Sequence, residues 1–429
     1  MRKGLFKRGP GSRKSVNAAV VVMSVAVGTT AAAPLAPGQT ASDVALEWYD
    51  TTADTVNAAG IPASAQVTKN RMWAISWLAA ARAVRPELGA GQSREYEQAA
   101  LASAVHAALS DLVPSRKAEL DAALDRSLER IPDGPAEDRG VRVGREQAHL
   151  VLAGRENDGL DPASVNMPYQ PPQPAPGVWQ PTPPAYGAAI QAGARYAKPF
   201  LLDDPAQFRL GPPPELGSER YRIDLAEVRA LGVAGSSVRT EEQTRTAKFW
   251  EQSTQVAYTG VLRAALEQSR QPLFKRAAMV AIFNVALVDT QIATSDSKYT
   301  YTRWRPVTAI RAADDGDGDP NTTPDPNWTP EATTPLHPDY PSGHNTYAGA
   351  AEAVLTALTG VRPAEPVTIG SSTAPGEFRT YAKWSELTAE VVDARVWSGL
   401  HTRTADEAGA LLGREVAEHD VRMAFQLLR

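Results

Sequence analysis

Apolar residues recur along this chain every three or four positions, the period of a helix face, and no stretch shows the strict alternation of a half-buried strand. "RMWAISWLAAARAV" sets Trp73 and Trp77 one turn apart, and "KAELDAALDRSLERI" aligns Leu120, Leu124, Leu128 and Ile131 on one stripe. Pro132 and Gly134 end that helix, and "REQAHLVLAG" continues the pattern. Residues 167 to 186, "MPYQPPQPAPGVWQPTPPAY", cannot be helical; they predict an extended surface connection anchored by Trp179 and Tyr186. Helical spacing resumes in "AEVRALG", in "EEQTRTAKFWEQSTQVAYTGVLRAALEQSR" and through most of 271–429. The expectation is an all-α protein of packed helical bundles, with an N-terminal helical region over 42–210 and a second helical region over 211–429.

The first 41 residues read differently. Cations precede an apolar run from Val16 to Val27 and a stretch of small residues, which is the pattern of a secretory signal peptide cleaved between Ala31 and Ala41. The run is too short to span a bilayer, so the expectation is a secreted protein without a stable membrane anchor. The 429 residues, 43% of them hydrophobic, can bury a large core, and a net charge of −5 gives no general reason to bind nucleic acid. With no cysteine, a metal would have to be held by histidine, carboxylate or other oxygen donors.

Three blocks in the last third carry chemistry. "KYTYTRWRP" spaces Lys298 and Arg305 by seven residues, which predicts two cations on one face of a helix that Pro306 ends. "YPSGHNTYAGAAEAVLTALTG" puts Ser342, Gly343 and His344 at a helix start, where free amides and the helix dipole favour an anion. "ARVWSGLHTRTADEAG" supplies Arg395 and His401 on either side of a break at Gly399. Each block alone is a common surface pattern, but together they offer three cations, a hydroxyl, backbone donors and two histidines. "DDGDGDPN" at 314–321 lacks the glycine and glutamate of a calcium loop and reads as a solvated acidic turn.

This order of blocks resembles the vanadium-dependent haloperoxidases, which share a fold and an anion site with type 2 phosphatidic acid phosphatases and bacterial acid phosphatases. "GVWQPTPP", "EVRALG", "RTEEQTRTAKFW" and "WRPVTAIR" are also similar to stretches of the bacterial haloperoxidase-like group. The resemblance implies a four-helix core carrying the anion site. It also implies vanadate bound by Lys298, Arg305, Ser342, Gly343 and Arg395, with His401 as the one protein ligand to the metal. Lys298 and His344 would act on hydrogen peroxide during halide oxidation, and a small organic acceptor would take the product. His337 stands where the resemblance places halide preference, and histidine there points to bromide over chloride. Trp304 and Ser295 complete the expected halide environment. Ser295 replaces a frequent family tryptophan, and Ala394 replaces the serine before Arg395. Two other readings remain open: a phosphomonoesterase using His401 as nucleophile and His344 as acid, and a vanadium-free rearrangement or binding role.

Overall fold

The computed structural model describes residues 43–86, 93–312 and 322–429, so the expected signal segment and the acidic run at 314–321 lie outside the described residues. Helices come first as α1 (Val44–Ala58), α2 (Gln66–Ala83), α3 (Arg94–Leu112), α4 (Lys117–Leu128) and α5 (Pro135–Gly154). After a short α6 (Pro162–Val165) and the proline-rich tract come α7 (Glu219–Leu231), α8 (Glu241–Phe249), α9 (Thr254–Gln268), α10 (Leu273–Tyr301) and α11 (Pro306–Ala312). The chain closes with α12 (Gly343–Thr359), α13 (Trp384–Trp397) and α14 (Arg403–Met423). A two-stranded antiparallel hairpin, β1 (Val367–Gly370) and β2 (Phe378–Tyr381), joins α12 to α13. Strand alternation was not expected anywhere; four-residue strands are too short to stand out in the sequence.

Local chemistry starts these helices. The Asp43 carboxylate accepts from the amides of Ala45 and Leu46, Ser218 caps α7, and Thr240 with Gln243 forms a capping box on α8. Alpha10 is apolar enough in composition and length to cross a membrane, yet it is wrapped by protein along almost its whole length. Its side chains join those of α1, α2, α3, α9, α12 and α13 in one core that draws on both ends of the sequence. On α14, Gly413 lies so close to α12 that a Cβ would come within 2.0 Å of the Thr346 carbonyl.

Two connections depart from expectation. Trp179 is fully buried, but Tyr186 is 64% exposed and anchors nothing. The helix carrying Lys298 ends at Tyr301, because Thr302 turns into the left-handed region at φ 46°. Residues 303–305 therefore run extended, and the Trp304 amide donates to the Gly177 carbonyl of the proline-rich tract at 2.9 Å. Pro306 then opens α11, a position that needs no amide hydrogen. Lys298 and Arg305 are thus not two positions on one helical face; a turn of the chain brings them together.

Candidate functional site

Five segments converge on one buried cluster. The last turn of α10 carries Lys298, the extended strip before α11 carries Arg305, the start of α12 carries Ser342 to His344, the last turn of α13 carries Arg395, and the following loop carries His401. Gly399 permits that loop, with φ at 75° and its Cα packed on Gly232 so tightly that a Cβ would lie 2.3 Å from the Gly232 carbonyl. Lys298, Arg305, Arg395, Ser342 and His401 are all buried.

Lys298 Nζ donates to the carbonyls of Pro338 at 2.6 Å and Asp339 at 3.1 Å. Arg305 donates through Nε to the His337 carbonyl at 2.7 Å and through Nη1 to the Leu400 carbonyl at 2.7 Å. Its Nη1 also lies 3.1 Å from His401 Nε2, and its Nη2 lies 3.0 Å from His337 Nδ1. A guanidinium only donates, so His401 Nε2 is an acceptor; His337 Nδ1 also lies 3.2 Å from the Pro338 carbonyl, which only accepts, so either of its tautomers has a partner. His401 therefore carries its proton on Nδ1, which donates to Asp339 Oδ1 at 2.6 Å.

The donors are not all used. Arg395 Nη1 reaches the Trp250 carbonyl at 3.2 Å, while its Nε is buried without a partner, as is His344 Nε2. Ser342 is the N-cap of α12 but its hydroxyl does not cap the helix. A Cβ on Gly343 would meet nothing nearer than Lys298 Cε, at 3.9 Å, so the helix start faces the lysine without packing hard against it.

Burial dominates the electrostatics. It pushes Arg305 and Arg395 down to about 10 and Lys298 well below the usual lysine range, with Arg305 adding repulsion to Lys298. Burial also holds His337, His344 and His401 well below the usual histidine range, helped by Lys298, Arg395 and Arg305 respectively. All three are neutral at pH 7. Only the Gln252 backbone pulls His344 the other way. Burial raises Asp339 to about 6, against the lowering by Arg305, and raises Asp406 well above the carboxylate range. Asp339, with its carboxyl at about 6, is largely ionised at pH 7. Three basic side chains, Lys298, Arg305 and Arg395, are thus crowded in a buried site, an arrangement that an entering anion would stabilise.

No curated protein matches this chain. Residues 278–429 match the family described as the VCPO second helical-bundle domain. That match holds all three of the sequence blocks. Among solved structures, the chain is similar to the first bacterial vanadium-dependent iodoperoxidase, with 22% identity, a TM-score of 0.71, and coverage of 90% of this chain and 98% of that one. It is similar also to a holo bacterial vanadium-dependent chloroperoxidase, at 17% identity and a TM-score of 0.69, over 92% of this chain and 100% of that one. The all-α architecture is therefore the fold of the bacterial vanadium-dependent haloperoxidases, and the cluster lies within the matched VCPO domain.

Within this fold the expected site residues separate into two groups. Lys298, Arg305, Ser342, Gly343, His344, Arg395 and His401 come together, and His337 joins them through Arg305. Ser295 instead donates to the Gln191 carbonyl at 2.7 Å, one turn back on α10. Trp304 packs with Tyr221, Val228, Ile310 and Trp328 in a separate apolar cluster, so it braces the Arg305 strip and makes no polar contact to the cradle among the described residues. The sequence blocks also leave out Asp339 and Asp406. Asp406 accepts from Asn345 Nδ2 at 2.7 Å behind Ser342. "PDYPSGH" and "TADEAG" held both acids in view, but nothing in their spacing marks which carboxylates turn inward.

Proposed function

We propose that this cluster is a cradle for orthovanadate and that the protein is a vanadium-dependent haloperoxidase, using hydrogen peroxide to oxidise halide. The observation that carries the reading is the convergence of three buried basic side chains, one with an unpaired donor at Arg395 Nε, around His401, whose Nε2 carries no proton. The residues fit the group: Lys298, Arg305, Arg395, the Ser342 hydroxyl and the Gly343 amide would bind its oxygens, and His401 Nε2 would bind the metal. When bound, vanadate would supply a Lewis-acid centre that activates peroxide toward two-electron oxidation of halide. This chain's part is to neutralise the oxygens, to keep water and bulky reductants out of a buried pocket, and to move protons. His344, neutral with Nε2 unpaired, is placed to take a proton from incoming peroxide and return it to the leaving oxygen. Lys298, held by the Pro338 and Asp339 carbonyls, would polarise the peroxide. Histidine at position 337, bonded to Arg305, supports bromide as the halide, with a small organic molecule accepting the oxidised halogen. Export through the N-terminal segment belongs to the same proposal.

The Asp339–His401 pair favours a second reading, a phosphomonoesterase, because a carboxylate behind Nδ1 also suits a nucleophilic imidazole. One assay separates the two. Purified protein is given orthovanadate, peroxide and bromide, and bromination of a dye or diketone is followed beside hydrolysis of a phosphate ester. Bromination lost in Lys298→Ala and His401→Ala supports the haloperoxidase. Absence of bromination at every pH, with ester hydrolysis lost in His401→Ala, overturns it.

A further inference from the structure

The motif residues of the cradle come from three separated blocks, yet one residue just ahead of the second block bonds to both of the others. Asp339 accepts from Lys298 Nζ on its main-chain carbonyl at 3.1 Å, and its amide donates to the Arg303 carbonyl at 2.8 Å, next to Arg305. Its side chain accepts from His401 Nδ1 at 2.6 Å and from Thr402 Oγ1 at 2.9 Å. Both carboxylate oxygens are therefore committed, one to the ring and one to the hydroxyl that fixes the carboxylate plane. Asp339 and His401 side chains are each 1% exposed, so water cannot substitute for either bond.

We infer that Asp339 is a positioning residue: its carboxylate fixes His401 in the Nδ1–H form and aims the Nε2 lone pair at the bound oxyanion. The inference rests on the reading of the cluster as an oxyanion cradle and holds whether vanadate or phosphate occupies it. The physical reason is geometric. An imidazole has one lone pair when neutral, and whichever nitrogen donates to an acceptor leaves the other free. Without Asp339, a ring among Arg305, Lys298 and Arg395 has no acceptor at Nδ1. Only the Arg305 Nη1 donor at Nε2 then still favours the Nδ1–H form; with nothing holding Nδ1 the ring can turn, and part of the population presents N–H where a lone pair is needed. Partners of this kind behind a ligating histidine raise its basicity, and losing one costs about 10- to 100-fold in affinity.

The test compares wild type with Asp339→Ala and Asp339→Asn. Histidine-labelled protein is read by 15N NMR for the protonated nitrogen of the ring that disappears in His401→Ala, and orthovanadate and inorganic phosphate are titrated by calorimetry. The expected result is an Nδ1–H ring in wild type, a mixed or Nε2–H ring in Asp339→Ala, and anion affinity reduced by about 10- to 100-fold in that variant. Asparagine can still accept from Nδ1, so Asp339→Asn should keep the tautomer and bind with intermediate affinity. If the alanine variant does not fold, the asparagine variant decides alone: affinity equal to wild type overturns the proposal. It is equally overturned by a folded Asp339→Ala with an unchanged ring and affinity within about twofold of wild type, well short of the smallest expected loss of about 10-fold. Should wild type bind neither anion, the cradle reading falls, and the ring spectra still decide the role of Asp339.

Discussion

Two buried arginines show what separates a structural cation from a waiting one. Arg155 bonds through Nε to Asp158 at 3.0 Å, and through Nη1 and Nη2 to the carbonyls of Pro199 at 2.8 Å and Lys198 at 2.6 Å. Asp158 in turn accepts from Arg71, and the Arg155 guanidinium stacks 3.9 Å above the Phe200 ring. Arg395, equally buried, has one carbonyl partner and an unpaired Nε. The first network is complete without a ligand and holds α2 and α5 to the segment before α7. The second, on the proposed reading, is completed by an anion, so burial of charge alone does not mark a site; unspent donors do.

The largest effect that could break this contrast is catalytic. Arg395→Met, which keeps the volume, should cut halide oxidation by about 100- to 1000-fold, the usual cost of one oxyanion donor. Its Tm should be no lower than that of wild type without added anion, because a buried unpaired cation has been removed. Asp158→Ala should do the reverse. It strips the partner from Arg155 and Arg71, so urea unfolding should show a loss of about 3–5 kcal/mol, with vanadate affinity unchanged in the folded protein. A destabilised Arg395→Met, or a catalytically dead Asp158→Ala, would remove the distinction.

How far this contrast could be read from the sequence depends on the segment. The α12 start was legible, because a Ser-Gly pair before a long apolar period has few other meanings, and the break at Gly399 was legible for the same kind of reason. The path from Lys298 to Arg305 was not, since Thr302 takes a left-handed conformation that glycine would have announced and threonine conceals. Asp339 stayed hidden because its partner His401 is 62 residues away and no spacing rule links them. Apolar periodicity reports which face is buried; it says nothing about which polar group meets which inside.

A smaller effect sharpens the comparison. If the cradle is incomplete when empty, orthovanadate or phosphate at about 100 times its Kd should stabilise the fold by about 2.7 kcal/mol, and Arg395→Met should lose that gain. The rise in Tm is measured by calorimetry with and without anion. Asp158 variants that remain folded should keep the full gain, since their defect is elsewhere. An equal rise in wild type and Arg395→Met would mean the anion binds outside the cradle.

The smallest effect concerns a third kind of buried charge. Asp420 on α14 has both oxygens buried and unpartnered, and burial together with the neighbouring Asp289 raises its carboxyl well above the usual range. Asp289 is itself raised to about 6 by burial, despite accepting the amides of Phe200, Leu201 and Leu202. Unlike Arg395, Asp420 can escape its unpaired state by keeping its proton, so it needs no ligand. The sign follows: the folded state binds this proton more tightly than the unfolded chain, so stability is full at low pH and is lost as pH rises through the raised value. Asp420→Asn does not titrate and should match or exceed wild type, by about 1–3 kcal/mol once wild type is forced to ionise. Thermal unfolding of both proteins at pH 5 and pH 8 checks this, with the gap between them wider at pH 8. A gap that does not change with pH would mean that Asp420 is paired after all, and that an orphaned buried group can be told from a waiting one only by the charge around it.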